Sequence, residues 1–186
     1  MKKICLLIIF MLLLISFSAM AYDVRKGSVE LERVKPVYNW EFNIEGVETG
    51  GRWDYVIFGE KPDASDLVDE YDVPKCPPPP MGYVRMILRN NELPYPYTSC
   101  WFEYRQSPDV YKVWELNILW VPQSGSDDTE ITLNWERTGR TEYKYIMLDD
   151  DINMLREDSY TFTCQAFVPT QFEIVCSRYH IKSIEK

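Results

Sequence analysis

Four aspartates, Asp63, Asp66, Asp69 and Asp72, recur every third residue, and Asp149, Asp150 and Asp151 stand together further along the chain. Calcium takes roughly six to eight oxygen ligands, and carboxylates on irregular loops supply them. The first set is therefore a candidate calcium site, although neither cluster carries the D-x-[DN]-x-[DN]-G order of a calcium loop. Two facing carboxylates would also suffice for a glycosidase, but 29 Asp and Glu in 186 residues make such pairs common by chance. A serine or cysteine triad would have to use His180, the only histidine, and neither G-x-S-x-G nor H-E-x-x-H occurs. His180 reads more simply as a side chain of the last strand. Without a C-x-x-C pair, zinc has no ligand set. No catalytic residue is assigned and no cofactor is expected, calcium being the one metal the spacing suggests.

Aromatics offer the other chemistry. The chain has six Trp and 13 Tyr, and planar rings can stack on sugars. Most Trp and Tyr nevertheless occupy strands and cores for their size and β propensity. Trp40, Trp53, Trp114, Trp120 and Trp135 all fit core periodicity. That leaves Tyr95, Tyr97 and Trp101, close to proline-rich loops, as the candidate ligand platform.

These residues need a frame, and a period of two provides it. Trp114, Leu116, Ile118 and Trp120 alternate with other residues, as do Ile131, Leu133 and Trp135, then Tyr143, Tyr145 and Met147, then Tyr160 and Phe162. Successive strand side chains point to opposite faces, so each set lines one buried face. Earlier, Trp40, Phe42 and Ile44 alternate, the turn Thr49-Gly50-Gly51 follows, and Trp53, Tyr55 and Ile57 continue as the second arm of a hairpin. Between residues 60 and 82 the alternation stops, and Pro74 with Pro77 to Pro80 predicts an extended strap. About nine to ten short strands predict an all-β, antiparallel two-sheet sandwich.

The ends and the charge set the compartment. Lys2 and Lys3, an apolar run from Ile4 to Ile15, and Ala19-Met20-Ala21 predict a signal peptide over 1–21. A lead-in over 22–37 and one domain over 38–186 follow. Loss of Lys2 and Lys3 leaves 18 Lys and Arg against 29 Asp and Glu, a formal charge of −11. An acidic surface repels nucleic acid and anionic lipid, and no second apolar run could span a bilayer. In an exported chain, the even set Cys76, Cys100, Cys164 and Cys176 predicts two disulfides. Read as a hairpin turning at Val168-Pro169-Thr170, the last two strands set Cys164 opposite Cys176, which leaves Cys76 to Cys100.

Two further groups of residues carry a family resemblance. IFGEKPDASDLVDEYDVPKCPPPPMGYVRMIL, followed by V-W-E-L, I-T-L-N-W, Y-I-M-L-D, I-N-M and S-Y-T-F, resembles immunoglobulin-like β-sandwich modules of secreted and cell-surface bacterial proteins. Such modules often lie upstream of C-terminal sorting domains, as in type IX secretion cargo, or of anchoring domains. The likeness spans roughly residues 53–163 and brings no catalytic residues. It implies an exported, non-catalytic module with a structural or interaction role, its partner an extracellular or cell-surface protein or a glycan. A carbohydrate-binding module and a small carboxylate-dependent hydrolase are the competing expectations.

Overall fold

The computed structural model describes residues 38–107 and 109–179. The predicted signal peptide, the lead-in and His180 lie outside them. Eleven strands run in chain order: β1 Asn39–Glu48, β2 Trp53–Lys61, β3 Val73–Pro74, β4 Tyr83–Arg89, β5 Ser99–Gln106, β6 Tyr111–Val121, β7 Thr129–Arg140, β8 Tyr145–Leu148, β9 Ile152–Asn153, β10 Ser159–Cys164 and β11 Thr170–Ser177. The described residues contain no helix, so the all-β class holds. None of them forms a helix long and apolar enough to cross a membrane.

The predicted pair of antiparallel sheets is corrected. The strands form one continuous curled sheet in the order β10-β7-β1-β2-β5-β4-β6-β11-β8-β9, with β3 added to β5. It is also mixed, because β2 and β5 run parallel, with Ile57 beside Phe102. Curling brings β1 face to face with β4 and β6. Trp40 meets Trp114 edge-on at 6.0 Å, and Met86 lies over Gly46, where a Cβ would come within 2.6 Å of its sulfur. Phe162 of β10 likewise meets Phe172 of β11 at 5.0 Å.

The β1–β2 hairpin forms as its sequence predicts. Gly51 takes the left-handed conformation at φ 86°, which glycine adopts without the Cβ penalty. The Glu48 carboxylate accepts from the Gly50 and Arg52 amides to close the turn.

The facing of β2 differs from its predicted core assignment. Val56, Phe58 and Glu60 point into the core, whereas Trp53 is 58 % exposed and Tyr55 and Ile57 are half-buried on the outer face. Both alternating sets of this strand carry large apolar residues, and the inner one is chosen by the packing of Phe58 against Phe42 at 5.5 Å and Trp114 at 5.1 Å. Glu60 joins them because its two oxygens accept from Trp40 Nε1 at 3.0 Å and Tyr143 Oη at 2.6 Å. Burial raises its pKa, against the opposing pull of those two bonds.

The predicted Cys164–Cys176 hairpin is also corrected. β10 pairs with β7, placing Cys164 opposite Thr129, while β11 lies between β6 and β8, with Cys176 opposite Lys112 and Ile146. Residues 165–169 cross between them, pinned where the Phe167 amide donates to the Trp120 carbonyl. Cys164 Sγ sits 3.7 Å from Thr170 Oγ1 at one end of β11. Cys176 lies six residues along that strand, roughly 20 Å away at the usual strand rise and far beyond disulfide reach.

The strap does meet β5 as expected, Pro74 pairing with Cys100 and the Lys75 amide donating to Ser99 O. All four thiols are free, with Cys76 exposed and Cys100, Cys164 and Cys176 buried. Burial pushes the Cys100 thiol up to about 12 and raises those of Cys164 and Cys176. Maleimide labelling of the native protein should therefore modify Cys76 alone among the four, and denaturation should expose the other three. A peptide linking Cys164 to Cys176 would overturn this strand order.

Candidate ligand cleft

The aspartate series does not converge. Asp63 accepts from Tyr71 Oη, Asp66 accepts from the Gln106 amide and pairs with Lys112 Nζ at 2.5 Å, and Asp69 accepts from the Ser65 and Tyr71 amides. Asp72 accepts from the Asp69 and Tyr104 amides. Each carboxylate ties down a turn of the strap, whose entry Lys61 holds by placing its ammonium 4.5 Å from the Tyr71 ring and 4.1 Å from the Tyr104 ring. Asp149 similarly accepts from the Glu173 amide. Among the described residues no three His, Cys, Asp or Glu side chains are grouped to hold a metal ion.

Asp72 makes a pH prediction. Burial lifts its pKa to about 6, against the opposing effect of its two amide bonds. The folded protein thus keeps a proton that the unfolded chain releases above about pH 4. The stability this proton contributes is complete below pH 4 and is lost as pH rises through 6. Relative to Asp72→Asn, which does not titrate, the parent should lose roughly 2 kcal/mol between those limits. Urea unfolding of both proteins at pH 4, 5, 6 and 7 measures it.

A charged bowl of about 580 Å³ is lined by Asp66, Arg89, Arg105, Asp109, Lys112 and Glu115 among others. Its cations are already matched: Lys112 serves Asp66 and Asp109, and Arg89 lies 3.8 Å from Glu115. Arg105 stacks 4.7 Å over Trp114 and donates to Glu103. That pattern is an ion-paired surface.

A second hollow is lined by aromatic and proline side chains. Strand β5 pairs with β2 only from Ile57 onward and with β4 only at Leu88 and Arg89, so the first halves of β2 and β4 have no ladder between them. Side chains fill that gap. Asp54 Oδ2 accepts from the Met86 amide at 2.8 Å, while Oδ1 holds Lys75 Nζ at 2.6 Å. The same ammonium donates to the Tyr55 carbonyl at 3.1 Å. Where the sheet splits, the proline strap crosses, leaving a cleft of about 310 Å³. Small-molecule sites start at roughly this size.

The cleft is walled by Pro77, Pro78 and Pro79 on the strap, by Trp53 and Trp101, and by Tyr83 and Arg85 of β4. Trp53 stacks on Tyr55 at 6.0 Å and 25°. Tyr55 in turn meets Trp101 at 5.0 Å, and Trp101 meets Phe102 at 5.3 Å. Lys75 Nζ lies 5.0 Å from the Trp101 ring. The Trp101 indole N–H is shielded from solvent and has no hydrogen-bond partner.

Of the three predicted platform residues, only Trp101 lines this cleft. Tyr97 packs against the core, and Tyr95 is 90 % exposed apart from the cleft walls. Trp53 was assigned to the core by its periodicity, and Tyr83 and Arg85 were not singled out by the sequence. The available signal was Asp54, which with Glu60 puts a charge at each end of the inner set of β2. Comparison with protein-family models, with curated proteins and with solved structures finds no match to this chain.

Proposed function

We propose that this chain is an exported, non-catalytic β module that binds a glycan in the cleft between the split sheet and the proline strap. The observation that carries the reading is the Trp53–Tyr55–Trp101 strip on the outer face, exposed at Trp53 and half-buried at Tyr55 and Trp101, beside a cleft of sugar-sized volume. Aromatic rings packed together in this way present flat apolar area with little side-chain entropy to lose on binding. Export rests on the residue pattern of 1–21, and kinship to immunoglobulin-like sandwich modules rests on the quoted sequence pieces. The facing of Trp40 and Trp114 across one core suits both a sandwich and a half-closed barrel.

A structural or protein-interaction role is the second reading, favoured by the neighbouring exposed Phe167 and Val168. Hydrolysis ranks third, since the carboxylates around the charged bowl are held by cations. A glycan array probed with residues 22–186 tests the proposal. Saturable binding to a defined glycan class is expected, with no release of reducing ends. An array without binders, together with specific capture of a cell-surface protein, would put the second reading first. Turnover lost on one carboxylate substitution would favour an enzyme.

A further inference from the structure

Resting on that glycan reading, we propose that the cleft selects sugars bearing a carboxylate and that Arg85 is the residue that reads the charge. Two cations, Lys75 and Arg85, line the cleft, with Asp54 as the only carboxylate beside them. Both Asp54 oxygens are engaged, one by Lys75 and the other by the Met86 amide. Arg85 spends Nη1 on the Cys76 carbonyl at 2.7 Å. That bond fixes the guanidinium against the strap. It also leaves Nε and Nη2, the paired donors of one edge, without an acceptor among the described residues, none of whose Asp or Glu side chains lies within ion-pair reach of them. Such an edge matches a carboxylate with two parallel hydrogen bonds.

The electrostatics agree. Burial, and then the nearby Arg85 charge, draw the Lys75 amine below its ordinary range, against the hold of Asp54. The two cations therefore share one anion, and a second anion would relieve them. In a chain of net charge −9 this excess of positive charge is local, so it directs anions to this cleft and away from the surrounding surface. A uronic acid residue fits both features: its ring would lie on the Trp53–Trp101 side and its carboxylate would reach Arg85.

Calorimetric titration with uronic-acid tetrasaccharides and neutral tetrasaccharides of the same linkage tests the proposal. The parent protein should prefer the uronates, and added salt should weaken that preference. Arg85→Gln should lose about tenfold or more in uronate affinity, and with it the preference for uronates over neutral sugars. Arg85→Lys, which keeps the charge without the fork, should fall between. Trp53→Ala should weaken both sugar classes, and thermal melts verify that each variant is folded. Equal affinity for both classes, or an Arg85→Gln variant that still prefers uronates, would overturn the carboxylate proposal while leaving the glycan reading standing. If no sugar of either class binds, both fall.

Discussion

Trp40→Ala is expected to cost about 3–5 kcal/mol of stability, whereas Trp53→Ala should cost no more than about 0.5 kcal/mol. Trp40 is 1 % exposed and touches Phe42, Phe58, Trp114 and Tyr143 edge-on, at 5.8–6.0 Å. Its removal leaves a cavity at the point where β1, β2 and β6 meet. It also takes away the donor to Glu60 Oε2, stranding a buried carboxylate oxygen at a further cost of about 1–3 kcal/mol. Domains of this size hold about 5–15 kcal/mol in total, so the variant should stand near its unfolding midpoint at modest denaturant. Trp40→Phe, which keeps most of the ring contacts, should remain folded and give a measurable intermediate loss. Urea titrations of the three variants decide between the two facings of β2. Comparable losses for Trp40→Ala and Trp53→Ala would mean that Trp53 is a core residue.

The second large effect is on binding. Trp53→Ala should weaken glycan affinity about 30-fold or more, the scale of a central aromatic anchor, with an unchanged melting temperature. Trp101→Ala should also lose binding, but it should lower stability as well, because Trp101 packs on Tyr55, Phe102 and the Lys75 ammonium that anchors the strap. Trp53 is therefore the cleaner probe. Tyr95→Ala should leave affinity unchanged, for all its exposure, because Tyr95 does not line the cleft.

The contrast between Trp53 and Trp40 also shows what periodicity can and cannot decide. In β1 the alternation of Trp40, Phe42 and Ile44 with polar residues picks out one face, and those three are buried. In β2 both faces carry large apolar residues, and the choice is made by Phe42 and Trp114, the latter distant in sequence. Strand pairing is less legible still. A turn before β11 invites a local hairpin, since sequential strands usually neighbour each other, yet β10 and β11 each find a partner elsewhere, Tyr160 opposite Leu133 and Phe172 opposite Leu116. The parallel β2–β5 pair, with the strap and β4 between its members in sequence, leaves no local signature. The cleft follows from that pairing, because a β5 that pairs with only part of β2 and β4 opens the sheet. Trp101 was therefore legible as a candidate, while its companions Trp53, Tyr83 and Arg85 needed the sheet order to bring them together.

The most direct test is a ¹H–¹⁵N spectrum of the six indole groups during titration with a soluble tetrasaccharide that the array selects. Trp53 and Trp101 should shift in a saturable, concentration-dependent way, the Trp101 signal being the more sensitive because its N–H has no partner in the free protein. Trp40, whose N–H is held by Glu60, and Trp135, whose N–H is held by the Met154 and Glu157 carbonyls, should stay in place, as should Trp114 in the core. Saturable binding that moved core or far-side indoles and left Trp53 and Trp101 untouched would contradict the cleft as the binding site.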